Sequence, residues 1–173
     1  MTGDGDAVFV DFLQNEETKD DYEEVADFSI LKSYLDSKLE AYNMQPKVQK
    51  MEIVLFRDAI IHITKIYRVL KLKRGHVLLV GVGGSGRHSL TRLSSYIADM
   101  NCEQLEIRRD FGLKDFRNKL KELYELSAFR GKWHLKTTFI FSDNDVVEET
   151  FLEDIQNTLN SGVVPNLFTS EEL

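Results

Sequence analysis

Cysteine is almost absent: a single Cys102 in 173 residues rules out an internal disulfide framework and suits a reducing compartment. Histidine is sparse too, with four scattered positions that form no zinc-type cluster. No apolar run reaches the roughly 18 residues a membrane span needs, and the acidic N-terminus is the reverse of a signal peptide. A basic surplus is missing as well. Lys and Arg number 22 against 29 Asp and Glu, a net charge of −7 with an isoelectric point near 5.2. That balance argues against a general nucleic-acid binder, which neutralises phosphates with excess Lys and Arg, while leaving room for a local basic site.

What is present is enough for a globular domain: 42% of residues are hydrophobic and 10% aromatic. The acidity is unevenly placed. Residues 1–27 hold ten Asp or Glu and one Lys, a net of −9, which leaves the remainder at +2. The chain therefore divides into an acidic leading segment (1–28), two leading helices (29–74) and a core (75–173). Within the leading segment Ala7-Val8-Phe9-Val10 and Phe12-Leu13 form an apolar patch suited to lie on a core, and the run from Glu16 to Asp27 reads as a solvated loop.

From Ser29 the apolar residues Ile30, Leu31, Tyr34, Leu35, Leu39 and Tyr42 recur at helical steps until Asn43 and Pro46 stop them. A second helix is expected over 51–70, with Ile53, Val54, Phe56, Ala59, Ile60, Ile63, Ile66 and Tyr67 on its apolar stripe and Lys65, Arg68, Lys71, Lys73 and Arg74 complementing its negative end. His76-Val77-Leu78-Leu79-Val80, flanked by glycines, has the continuous apolar character of a buried parallel strand. A helix from Arg87 to about Met100 follows. Beyond it the pattern alternates: strand 104–108, helix 113–126, strand 137–141, helix 147–160, and an exit at Gly162 and Pro165. Strands alternating with helices predict an α/β fold, a parallel sheet with helices on both faces, preceded by an N-terminal helical segment.

Chemistry concentrates at Gly81-Val82-Gly83-Gly84-Ser85-Gly86-Arg87-His88-Ser89, between expected strand and helix. Glycines let successive N–H groups turn inward as an anion nest, and the helix that follows offers its free N–H groups and positive dipole end to the same phosphates. The pattern GxxxxGK[ST] is met by Gly81 and Gly86, but Arg87 stands for the lysine and His88 for the hydroxyl residue, with Ser89 one place late, about 100° further round the helix. Arg87 keeps a positive charge with a planar fork instead of a point contact. His88 cannot supply the hydroxyl oxygen that helps hold Mg²⁺. The same stretch also satisfies GxGxxG, a dinucleotide-type turn, for which Glu106 at the end of the second strand would be the acidic partner. The plainest alternative is a glycine-rich turn that binds nothing.

A nucleotide hydrolase also needs an acidic pair at a neighbouring strand end, and Ser142-Asp143-Asn144-Asp145 is the candidate. Either Ser142 and Asp143, or Asp143 and Asn144, would occupy the metal-holding and water-activating places, and in both registers one carboxylate is missing. Asp143 is one methylene shorter than Glu for the role of base. The alternative is a strand-end aspartate that caps the next turn. Cys102, Phe129 and Trp133 read as packing residues, and Arg108 and Arg109 as a solvated strand end.

Taken together, the stretch from Leu78 to Leu93 resembles the phosphate loop of the fourth AAA+ module of a dynein heavy chain of the axonemal type. Phe151-Leu152-Glu153-Asp154-Ile155, the run from Leu159 to Phe168, and Val10-Asp11-Phe12 in the leading segment are similar to the same family, so the likeness covers most of the chain. The resemblance implies a P-loop NTPase (AAA+) fold, ATP or ADP with Mg²⁺ as ligand, and a place in a ring of six modules, of which the first does most of the hydrolysis and the fourth is regulatory. It implies partners too: the other modules of the heavy chain and, through the whole motor, intermediate and light chains and microtubules, in the cytoplasm and cytoskeleton of a ciliary or flagellar axoneme, with no nucleic-acid or membrane partner. Carried residue by residue, Gly81, Gly83, Gly84, Ser85, Gly86, Arg87, His88 and Ser89 would surround the phosphates, Asp143 would be the surviving acidic group, Ser89 and Asp143 would face Mg²⁺, and Phe9 and Val10 would lie on the adenine. Axonemal relatives share the arginine and the weakened acidic pair, so nucleotide binding with slow or absent hydrolysis is expected. The alternative is a structural module that binds no nucleotide and serves only ring or partner contacts.

In the family a fourth strand and a helical lid come after the Pro165 exit. The fourth strand would lie between the strands at His76–Val80 and Thr137–Phe141. Without it both would face a gap with unpaired N–H and C=O groups, so the expectation is a piece of a longer protein, or another segment that fills the gap.

Overall fold

The computed structural model describes residues 7–13, 21–46, 48–127 and 136–169. Its contacts divide the chain into two units, Met1–Asp99 and Met100–Leu173, each with its own apolar cluster. Among the described residues, five α-helices and a small parallel sheet give the expected α/β class.

In the first unit two short strands, β1 (Phe9–Val10) and β2 (Glu23–Glu24), pair antiparallel, with Phe9 opposite Glu24 and Val10 opposite Glu23. The apolar patch of the leading segment does lie on the core: Val8 and Val10 are buried and Phe12 and Leu13 pack against the same cluster. Helix α1 (Phe28–Asn43) opens on Asp27, whose carboxylate accepts from the Ser29 amide at 2.8 Å and the Ser29 hydroxyl at 2.6 Å. These bonds, the hydroxyl's foremost, hold the Asp27 carboxyl below its ordinary range. Its buried face is Leu31 and Leu35.

Helix α2 covers Arg57–Lys71, not 51–70. Residues 51–56 lie outside any helix, with Met51 and Leu55 buried, Ile53 half-buried and Glu52, Val54 and Phe56 exposed, an alternation of period two. Asn43, the residue expected to stop α1, also fixes this segment: its side-chain amide donates to the Met51 carbonyl at 2.9 Å and accepts from the Met51 amide at 2.8 Å. Both backbone groups of Met51 are thereby satisfied as a neighbouring strand would satisfy them.

Helix α3 (Arg87–Ile97) packs on α2 through a face of small polar residues: Thr91, Ser94 and Ser95 are buried beside Leu93. The Ser94 hydroxyl lies 2.8 Å from the Leu90 carbonyl and 3.2 Å from the Ile63 carbonyl, so a buried polar group is paired where the two helices meet.

The expected strand at His76–Val80 is not formed: no described strand pairs with it, and Leu78, Val80 and Val82 are 87%, 86% and 80% exposed. Apolar composition marks a segment suited to a sheet, but a strand exists only where a neighbour takes its N–H and C=O groups. Among the described residues no strand does, and the Leu79 carbonyl is met by the Arg87 side chain instead.

In the second unit β3 (Asn101–Gln104) and β4 (Thr137–Ile140) form a parallel pair in the register Asn101 opposite Thr137 through Gln104 opposite Ile140. β3 lies earlier than the expected 104–108, because pairing to β4 and not apolarity fixes it; Glu106 and Arg108 lie beyond it, both largely exposed and 3.6 Å apart. Helix α4 (Leu113–Ser127) matches expectation, while α5 (Thr150–Asn160) begins later than 147, after a 3₁₀ turn over Asp143–Asp145. α5 closes on Gly162 at φ 74°, whose amide bonds the Asn157 and Thr158 carbonyls.

The core of this unit centres on Phe116 of α4 stacked on Phe151 of α5, ring centroids 4.3 Å apart at 9°. A bidentate pair ties the same helices: Arg117 Nε and Nη2 donate to Asp154 Oδ2 and Oδ1 at 2.8 and 3.1 Å. The Asp154 side chain is 5% exposed, so Arg117→Met should leave a buried carboxylate without its partner, at a cost of about 1–3 kcal/mol in urea unfolding. Phe129 and Trp133 lie outside the described residues.

Candidate functional site

The glycine-rich segment turns directly into α3. The Ser85 amide bonds the Val82 carbonyl at 3.3 Å, closing a turn, and Gly84 and Gly86 follow at φ 77° and 76°. This left-handed backbone is open to glycine and strained for other residues. Gly86 is the N-cap of α3 and supplies no side chain, so nothing from its own side chain satisfies the N–H groups of Arg87, His88 and Ser89 in the first turn. Apart from chain neighbours and adjoining helix backbone, a Cβ built on Gly83, Gly84 or Gly86 would meet no described atom within 4 Å, so the glycines border open space. Gly81 is different: its Cβ position is 3.3 Å from the Ser85 hydroxyl, where the loop closes on itself.

Arg87 folds back over the loop. Its guanidinium donates to the Leu79 and Val82 carbonyls, both at 3.4 Å, long contacts that hold the planar fork against the loop backbone. His88 is exposed, and Ser89 is half-buried in the first turn of the helix. These residues share the first unit with Phe9, which is 42% exposed, and Val10, which is buried against the α1 and α2 cluster. An open groove of about 650 Å³ in this unit is lined by Phe12, Leu13, Ser29, Ile30, Ser33 and Tyr34, and by none of the phosphate-loop residues.

Asp143 belongs to the second unit, exposed on the 3₁₀ turn that follows β4. The cap of that turn is made by Ser142 with Asp145, not by Asp143. The Ser142 amide and hydroxyl both donate to Asp145 Oδ2 at 2.8 Å, and Asp145 is buried. Ser142 and Asp145 therefore satisfy each other, and Asp143 is the carboxylate of this turn left facing solvent. A Ser followed three residues later by an acidic side chain is the signature of a reciprocal cap, and that spacing singles out Asp145, not Asp143, within the candidate stretch. Among the described residues no group of three or more His, Cys, Asp or Glu gathers at one place, and no helix is long and apolar enough to cross a membrane.

Residues 51–173 match the family described as the P-loop containing dynein motor region D4. The chain belongs to the dynein motor family. Its relatives include the mouse and human dynein axonemal heavy chain 2, each 45% identical over 166 residues, and the Chlamydomonas reinhardtii dynein-1-beta heavy chain of the flagellar inner arm I1 complex, 44% identical over 165 residues. Each match covers 95% of the chain, and the chain spans 4% of the length of these heavy chains. The α/β class with its small parallel sheet is consistent with a dynein AAA+ domain, and the glycine loop at 81–86 falls inside the matched region.

Proposed function

We propose that this dynein motor segment is the fourth AAA+ module of an axonemal heavy chain, a regulatory module that binds ATP or ADP and hydrolyses it slowly or not at all. The observation that carries the reading is the paired left-handed glycines, Gly84 and Gly86, immediately ahead of an uncapped α3, bordering open space. Such a backbone presents N–H groups to an anion without the aid of side chains.

In this reading Gly81, Gly83, Gly84, Ser85 and Gly86 surround the phosphates, and the α3 amides of Arg87, His88 and Ser89 meet them. Arg87 leaves the carbonyls of Leu79 and Val82 for the phosphates when nucleotide is present. Mg²⁺ would neutralise phosphate charge, and Ser89 and Asp143 are the side chains whose chemistry suits it. Phe9 and Val10 would line the adenine. Slow hydrolysis follows from the turn after β4, where Asp145 is committed to Ser142 and only Asp143 is unengaged. By relation to axonemal and flagellar heavy chains, the whole motor would work with the other modules, intermediate and light chains and microtubules in the axoneme of a cilium or flagellum.

Titration of ATP and ADP with Mg²⁺ by calorimetry tests the reading. Binding with little phosphate release is the expected outcome. No heat and no thermal shift at millimolar nucleotide would sink it in favour of a structural module that binds none, and a preference for NAD would favour the dinucleotide alternative.

A further inference from the structure

The apolar leading patch is interrupted by one charge, Asp11, between Val10 and Phe12. Its side chain is 5% exposed, and its Oδ1 has no hydrogen-bond partner among the described residues. Oδ2 lies 3.7 Å from Lys71 Nζ at the end of α2. The hydroxyl of Tyr67, one turn earlier, hydrogen-bonds to the Asp11 side chain; burial first, and then this bond and the Asp11 charge, push the Tyr67 phenol well above its ordinary range. Tyr22, just ahead of β2, is raised by burial and then by Asp11, with Arg68 opposing. The leading segment thus meets the last turns of α2 at one carboxylate.

A carboxylate taken out of water costs free energy unless it is paired, and a half-satisfied one contributes little to stability. An apolar residue would bury more cheaply beside Val8, Val10 and Phe12. What the carboxylate adds is direction: Lys71 and Tyr67 are fixed points on α2, and a charged bond to them fixes the segment along the helix, which apolar contact alone does not. Phe12, next in sequence, is held by ring contacts to Tyr34 at 5.0 Å and Tyr67 at 4.9 Å. On the other side Val10 and Phe9 form β1, and the Val25 amide closes the loop onto the Val8 carbonyl at 2.7 Å.

We propose that Asp11 is a positioning residue: it anchors the 7–13 strap to α2 through Lys71 and Tyr67, and so sets Phe9 and Val10 for the base of the nucleotide without touching the phosphates. This rests on the nucleotide reading above for its second half only.

The test is Asp11→Asn, of equal size, in the full chain, with two readouts. Hydrogen exchange at Val10 and Val25 is expected to quicken about tenfold while Leu90 in α3 keeps its protection. Affinity for ATP is expected to fall about tenfold while affinity for inorganic tripolyphosphate, which has phosphates and no base, stays unchanged. Unchanged exchange in the strap, or equal losses for ATP and tripolyphosphate, would overturn the proposal. If the native chain binds neither ligand, the nucleotide reading fails and the exchange result alone decides whether Asp11 anchors the strap. Should Asp11→Asn not fold, Lys71→Gln removes the charged partner from a half-exposed site, and the same two readouts apply with smaller changes in the same direction.

Discussion

Gly86→Val is expected to lower affinity for ATP and for tripolyphosphate alike, tenfold or more, while leaving the melting midpoint of the first unit nearly unchanged. At φ 76° a β-branched residue is strained by about 1–2 kcal/mol or more, and 1.4 kcal/mol is one decade of affinity. The strain would be relieved by rotating the loop out of its left-handed form, which turns the amides away from the anion. Apart from its chain neighbours and the adjoining helix backbone, no described atom lies within 4 Å of the added Cβ, so the loss would not come from a clash in the core. Gly83→Ala is the control: it too meets nothing within 4 Å, and its φ is not positive, so a much smaller effect is expected. Calorimetry on both variants checks the pair, and equal losses would show that bulk in the loop, not backbone conformation, decides binding.

Phe116→Ala should be the most damaging single change to stability. The ring is fully buried, stacks on Phe151 and lies 5.9 Å from Phe141, so its removal opens a cavity lined by three elements at once. The expected loss is about 3–5 kcal/mol, a large part of the roughly 5–15 kcal/mol that holds a typical domain together. Urea unfolding followed through hydrogen exchange in α4 and α5 measures it. A loss under about 1 kcal/mol would mean that neighbouring side chains close the cavity.

Elements with strong local signals were legible in the sequence. α1 shows a helical apolar period from Ser29, α3 starts where the glycines end, and Leu113, Phe116, Leu120 and Leu123 place α4 to within a residue. Three features were not. Over 51–56 six mostly apolar residues fit a helical stripe and a strand alternation equally well, and the deciding contact comes from Asn43. β3 is Asn-Cys-Glu-Gln, with almost no apolar signal, and is fixed only by its register with β4. His76–Val80 has the reverse problem, strong local character with no partner among the described residues. At the site the glycine loop was legible because backbone conformation selects residue type directly. The capping role of Asp145 and the burial of Asp11 were not, since each depends on which neighbours folding brings to a carboxylate.

The unpaired run at 76–82 bears on how the chain behaves in bulk. From Gly75 to Gly86 there is no formal charge, His76 being neutral, and Lys73 and Arg74 are the nearest gatekeepers on one side and Arg87 on the other. A backbone paired to no strand among the described residues, its Leu79 and Val82 carbonyls met only within the loop, under exposed Leu78, Val80 and Val82, is a template onto which a second copy can hydrogen-bond. Colloidal stability at high concentration would therefore be governed by these few uncharged residues, despite the chain's net charge of −7, because no acidic side chain lies between Gly75 and Gly86 to repel a second copy.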